Sequence, residues 1–197
     1  GARGAYQLTK PLQAISMPAT VQSILAARID RLAPEDKRLL QAAAVIGTDV
    51  PYALLHAIAD LPHEALRLGL ARLQAAEFVY EARLFPELEY SFKHALTHEV
   101  AYGSVLQERR QALHARIVES MERLYADRLV EQVDLLAHHS SRAGLDAKAV
   151  SYLHQAGERA VGRSANREAL AFLEQALALL EKLPQTPENL SRALNIR

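Results

Sequence analysis

Between residues 78 and 94 the hydrophobic period of this chain leaves helical spacing for alternation, and it returns to helical spacing immediately afterwards. FVYEAR and EYSFKH alternate as strands do, and LFPEL between them carries a proline turn. One backbone cannot serve both periods, because side chains recur every two residues on a strand and about every 3.6 on a helix. The chain is therefore divided into helices, one small β element, and helices again.

Upstream of the alternation, Pro18 and Thr20 offer a start signal for a helix carrying Val21, Ile24, Leu25, Ile29 and Leu32 at helical spacing. Pro34 opens the next helix at its first turn, Glu35 and Asp36 complement its dipole, and Gly47 closes it. Pro51 begins a third helix, PYALLHAIAD. Pro62 begins a fourth, whose Leu66, Leu70 and Leu73 form an apolar face. Short helices followed by a two-stranded hairpin predict a winged-helix domain over residues 18–105, preceded at 1–17 by a linker or the tail of another domain. AYQLT within it reads either as a short strand or as the tail of a preceding domain.

Downstream the pattern is helical to the end, and residues 106–197 are expected to form a helical repeat region. Its long helix carries Leu113, Ile117, Met121 and Leu124, and LVEQVDLLAHHSSRAG follows. AKAVSYLHQAGERAVGRSA and NREALAFLEQALALLEKLP then make a pair with the spacing of a tetratricopeptide repeat. Leu153, Ala156, Gly157 and Ala160 lie on its first helix, and Ala169, Leu173, Ala176 and Leu177 on its second. Small residues at those points let two helices cross closely. The fold class expected is mainly α: a winged helix with a small β-hairpin, then helical hairpins resembling tetratricopeptide repeats.

Composition removes several functions. Lys plus Arg equal Asp plus Glu at 23 each, so no overall field attracts nucleic acid or an anionic membrane. The absence of cysteine excludes disulfides and thiolate metal sites and is compatible with a reducing, cytoplasmic location. LAFLEQALALL, the longest apolar run, is interrupted by Glu174 and too short to span a bilayer, so no membrane association is expected. The chain starts GARGAYQLTK without methionine and stops inside a helical pattern, which reads as a segment of something longer.

Chemistry-bearing motifs are sparse. GERAVGRS, residues 157–164, nearly spells a phosphate-binding loop, but it lies inside a helical pattern whose amides are already used, and Arg163 stands where the motif needs lysine. His94 and His98 are four apart, yet two imidazoles supply half of a tetrahedral site, and no metal site is expected. His138 and His139 are adjacent and point to different sides of their helix, which argues against a shared ion. His56, His63, His114 and His154 read as scattered, solvated or hydrogen-bonded groups. Ser91, Ser104 and Ser164 lack an elbow turn, so no catalytic residue is assigned.

The fourth helix holds the recognition position of a winged helix and carries Arg67, Arg72 and Gln74, the candidates for contact with DNA or a partner. Residues 18–105 nevertheless contain eleven acidic side chains against eight basic ones, the wrong sign for phosphate contact. Nucleic acid is not the expected partner.

MPATVQSILAARIDRLAPEDKRLLQAAAVIG, LARLQAAEFVYE, YSFKHALTHEVAYGSVLQERRQALHARI and LAHHSSRAG, in that order, resemble the C-terminal half of STAND-class signalling ATPases. They are similar above all to the bacterial group in which an AAA-type ATPase follows a class III nucleotide cyclase or kinase domain and precedes tetratricopeptide repeats. The resemblance covers nearly the whole chain. It implies an ATPase core upstream in cis, holding ATP or ADP with magnesium outside this segment, and a protein or peptide ligand on the repeats. In apoptotic and plant-resistance members a histidine of a Met-His-Asp motif, just after the winged-helix hairpin, contacts ADP. Lys93, His94 and Ala95 occupy a similar place, so the resemblance implies that His94, with Lys93, senses the nucleotide.

The function expected is therefore non-enzymatic signal transduction: a segment coupling the nucleotide state of an upstream core to partner binding by helical repeats. Two other readings stay open, a winged-helix transcription regulator and a plain scaffold that docks a peptide in its concave face.

Overall fold

A computed structural model describes residues 19–196. The tail at 1–17, its AYQLT strand and the Pro18 start signal lie outside the described residues. The chain is mainly helical, with one small antiparallel sheet and a series of helical hairpins.

Helix α1 (Ala19–Asp30) leads into α2 (Pro34–Ile46), which has proline in its first turn and Gly47 as its cap. Strand β1 (Asp49–Pro51), α3 (Tyr52–Ala59) and α4 (His63–Ala75) follow. Next come β2 (Val79–Arg83) and β3 (Glu89–Phe92). The strands form one sheet in the order β1-β3-β2, with Val50 opposite Tyr90 and Tyr80 opposite Ser91. The expected two-stranded hairpin is thus a three-stranded sheet. The extra strand spans only three residues, too few for alternation to show, and a single side chain, Val50, turns inward. Helix, strand, helix, helix and hairpin in this order are the topology of a winged helix.

Helix α5 (Ala95–Gly103) packs against α1 and α2, and α6 (Gln107–Leu124) against α2 and α3. A 3-10 turn, Leu129–Gln132, introduces α7 (Val133–Ala143). Gly144 caps α7 at φ +71°, a left-handed conformation in which glycine carries no Cβ penalty. The hairpin of α8 (Asp146–Gly162) and α9 (Asn166–Leu180) and then α10 (Pro187–Ile196) complete the chain.

Two groups of buried side chains hold these elements. The larger runs from Ile29 through Leu40, Leu55, Leu66 and Leu70 to Ile117, Met121 and Leu136, so α6 and one face of α7 share a core with the winged helix. The smaller joins Ala137 of α7 to Val150, Leu153, Ala176, Leu180 and Ile196. Adjacent residues on one helix, Leu136 and Ala137, face the two groups. Among the described residues no helix is long and apolar enough to cross a membrane.

Candidate functional site

The turn from the sheet into α5 positions His94. Phe92 ends β3 buried, Lys93 donates its backbone N–H to the Phe78 carbonyl at 3.0 Å, and His94 is the N-cap of α5 in extended conformation. The His94 side chain makes no capping bond and is exposed beside Glu77. Lys93 is committed elsewhere, with its ammonium 2.7 Å from Glu77 Oε1. That ammonium, by hydrogen bond and charge, holds the Glu77 carboxyl below its usual range, and His94 adds a smaller push in the same direction.

One turn on, His98 does a different job. Its Nε2–H donates to the Ala44 carbonyl of α2 at 2.9 Å, while its ring meets Phe92 edge-on at 5.2 Å and stacks on Tyr102 at 6.2 Å. His94 and His98 therefore do not converge on a common ligand.

Arg67, Arg72 and Gln74 do not form a basic strip. Arg67 is exposed and only loosely paired with Glu64 at 3.9 Å. Five residues on, and so roughly 140° around the helix, Arg72 grips Asp36 of α2 with two bonds of 2.7 and 2.6 Å. Asp36 stands in the first turn of α2, where the sequence placed it, and in addition is 4% exposed and ties α2 to α4. Gln74 is half-buried at the end of α4, where its carbonyl accepts the Glu77 N–H.

The small residues of the last hairpin do meet. Leu153, Ala156, Gly157, Ala160, Ala169 and Ala176 are buried and Leu173 half-buried, and a Cβ on Gly157 would sit 2.6 Å from Leu173 Cδ2. GERAVGRS lies in α8 up to Gly162, with the Arg163 and Ser164 amides bonded back to helix carbonyls. Those residues therefore do not fit a phosphate cradle, and no nucleotide chemistry runs through them.

The histidines hold what sequence reasoning missed. His114, read as scattered and solvated or hydrogen-bonded, and His139, read as one of a pair pointing to different sides of their helix, are both buried and place their Nδ1 atoms 2.8 Å apart. Burial first, then His138, Arg142 and Arg110, pushes His114 down to about 4. Burial, His114 and His138 push His139 down to about 3. His56 and His63 are not scattered either: their rings stack at 4.8 Å, and Tyr52 donates its hydroxyl to His63 Nδ1 at 2.5 Å. The signal for His114 lay in its register, since it precedes Ile117 and Val118 by three and four residues on the buried face of α6. Among the described residues no three His, Asp or Glu side chains are grouped to hold a metal ion.

Beside the sheet lies a cavity of about 430 Å³, lined by Leu54, Arg83, Glu89, Met121, Tyr125 and His139 among others. Its two guanidiniums are engaged, Arg83 with Glu89 and Arg128 with Glu87.

No protein-family model matches this sequence, and no solved structure matches it. The chain is similar to an uncharacterized protein of Rhizobium meliloti (strain 1021), 34% identical over 166 residues. That match covers 84% of this chain but 16% of the relative, so the chain spans less than a fifth of the length of the curated relative it matches.

Proposed function

We propose that this segment is the non-catalytic regulatory joint of an ATP-dependent signalling protein of the STAND class, similar to the cyclase-linked bacterial group. It relays the nucleotide state of an ATPase core elsewhere in the parent protein to helical hairpins of tetratricopeptide type, which bind a protein or peptide. The observation that carries this reading is the unbroken buried core from α2 through α6 to α7. Elements that share a close-packed interior move as a body, so a displacement felt at the α5 turn is delivered to the hairpins rather than absorbed.

His94 is the residue through which the core is read. Its ring is exposed and free of a capping bond at the start of a helix, where an imidazole N–H can meet an anionic group. A nucleotide that favours one arrangement of core and winged helix shifts the population of both, and a ligand on the hairpins biases the same equilibrium in return. The transcription-regulator reading loses ground because Arg72 is spent on Asp36, leaving Arg67 beside Glu64 as the exposed cation of α4's middle.

The test is calorimetric titration of ADP and ATP into this chain and into the parent protein, each with and without His94→Ala, together with ADP release from the parent. Binding is expected for the parent alone, with faster ADP release after the substitution. Binding by this chain by itself would overturn the assignment of nucleotide to another part of the protein, and unchanged release would remove His94 from the mechanism.

A further inference from the structure

His114 and His139 stand on different helices, 25 residues apart, and are 1% and 2% exposed. At 2.8 Å, two ring nitrogens share one hydrogen: one donates an N–H and the other accepts with its lone pair. Tyr102 of α5 extends the chain, its hydroxyl 3.2 Å from His114 Nε2. With Tyr102 donating, His114 carries its proton on Nδ1 and His139 on Nε2, and each contact has one donor and one acceptor.

The arrangement admits one additional proton at most. If His114 alone is charged, its Nδ1–H still points at a lone pair of His139. If both rings are charged, two N–H groups oppose each other across the same gap and neither finds an acceptor. We infer that this pair is an acid-opened latch: the neutral pair holds α7, and the hairpins behind it, onto α6 and the winged helix, and protonation of both rings releases them. The latch does not rest on the nucleotide reading, since His94 is not among the groups that make it.

The neighbours add to the effect. On α7, His138 lies 5.9 Å from the His114 ring and 5.2 Å from the His139 ring, and Arg142 follows one turn later. On α6, Arg110 covers the Tyr102 ring at 4.7 Å and further disfavours charge on His114. Across the cavity, Glu87 and Glu89 are engaged by Arg128 and Arg83, and Asp49 is exposed at the rim. Toward α8, Asp134 pairs with Arg159 and Glu122 with Lys148. Among the described residues, the charges acting on the two rings are those of histidines and arginines.

The sign follows from linkage. Both folded values lie below the ordinary histidine value of 6.5, at about 4 and about 3, so the closed state binds fewer protons than the open one. Closure is complete above the ordinary value and is lost as pH falls from there toward the folded values. Each histidine makes opening about tenfold easier per pH unit in that window.

Amide hydrogen exchange of the 197-residue chain between about pH 7.5 and about pH 5, with ring-nitrogen NMR of the same samples, tests this. Protection in α7 is expected to fall by tenfold or more per unit while α2 and α4 keep theirs. His139→Gln, which keeps a donor and an acceptor but takes no proton, flattens the slope, and His154→Gln leaves it unchanged. Rings that titrate at the ordinary value with α7 still protected would sink the latch. So would parallel loss in α2 and α7, or a folded His139→Gln chain with the original slope. Should that variant fail to fold, the ring titration of the unaltered protein still decides.

Discussion

A single helical turn separates His94 from His98, and the two side chains contribute to the fold very differently. His98 donates to a backbone carbonyl of another helix and is held between two rings, whereas the His94 side chain is exposed and makes no capping bond. His98→Ala should therefore cost about 1 kcal/mol for the lost hydrogen bond, with further loss from packing. His94→Ala should stay within about 0.5 kcal/mol, as exposed substitutions do. Urea denaturation of both variants checks this, and equal losses would mean that His94 has a structural partner after all. The pair was legible only in part. The spacing and the helix start could be read from SFKHALTHEV, but which ring turns inward depends on Ala44, 54 residues upstream in α2. The same limit hid His114 and His139. Each lies on the apolar face of its own helix, beside Ile117 and Leu136, yet their contact across 25 residues has no local signature.

At the scale of elements, periodicity served the long helices well because an amphipathic face is repeated many times along them. It failed for β1, where pairing with β3 rather than any local pattern makes the strand. The crossing of α8 and α9 gives a sharper test of what small residues do. At Gly157 a Cβ would stand 2.6 and 2.8 Å from Cδ2 and Cγ of Leu173, too near the branch point for a simple swing of the side chain. At Gly162, five residues along the same helix, a Cβ would meet nothing within 4 Å. Alanine raises helix propensity at both by up to about 1 kcal/mol. Gly162→Ala should thus raise the thermal midpoint, and Gly157→Ala should lower it by forcing the helices apart. A Gly157→Ala protein as stable as the Gly162→Ala one would show that the crossing has slack, and the repeat-like spacing of Ala156, Gly157 and Ala160 would lose its meaning.

At the scale of the molecule, the described residues form two cores that meet at α7, with Leu136 in one and Ala137 in the other. Ile117 is fully buried in the first, where α6 joins the winged helix, and Leu153 is 2% exposed in the second. Truncating either leaves a cavity and should cost about 3 kcal/mol. The consequences should spread differently. Because the first core is continuous, Ile117→Ala should weaken amide protection together in α2, α4, α6 and α7. Leu153→Ala should weaken α8, α9 and α10, and leave α2 and α4 as they were, since α8 reaches the first core through α7 and through Lys148 and Tyr152 on Glu122 of α6, and Leu153 belongs to the second core. Exchange rates measured helix by helix distinguish these patterns. If Leu153→Ala loosened α2 as strongly as α8, the chain would unfold as one unit, with no joint at α7 for a proton or a bound peptide to work against. If it loosened α8, α9 and α10 and spared α2 and α4, the second core would open without the first, so a ligand on the hairpins could act on α7 while the winged helix keeps its shape, which a relay between two binding events needs.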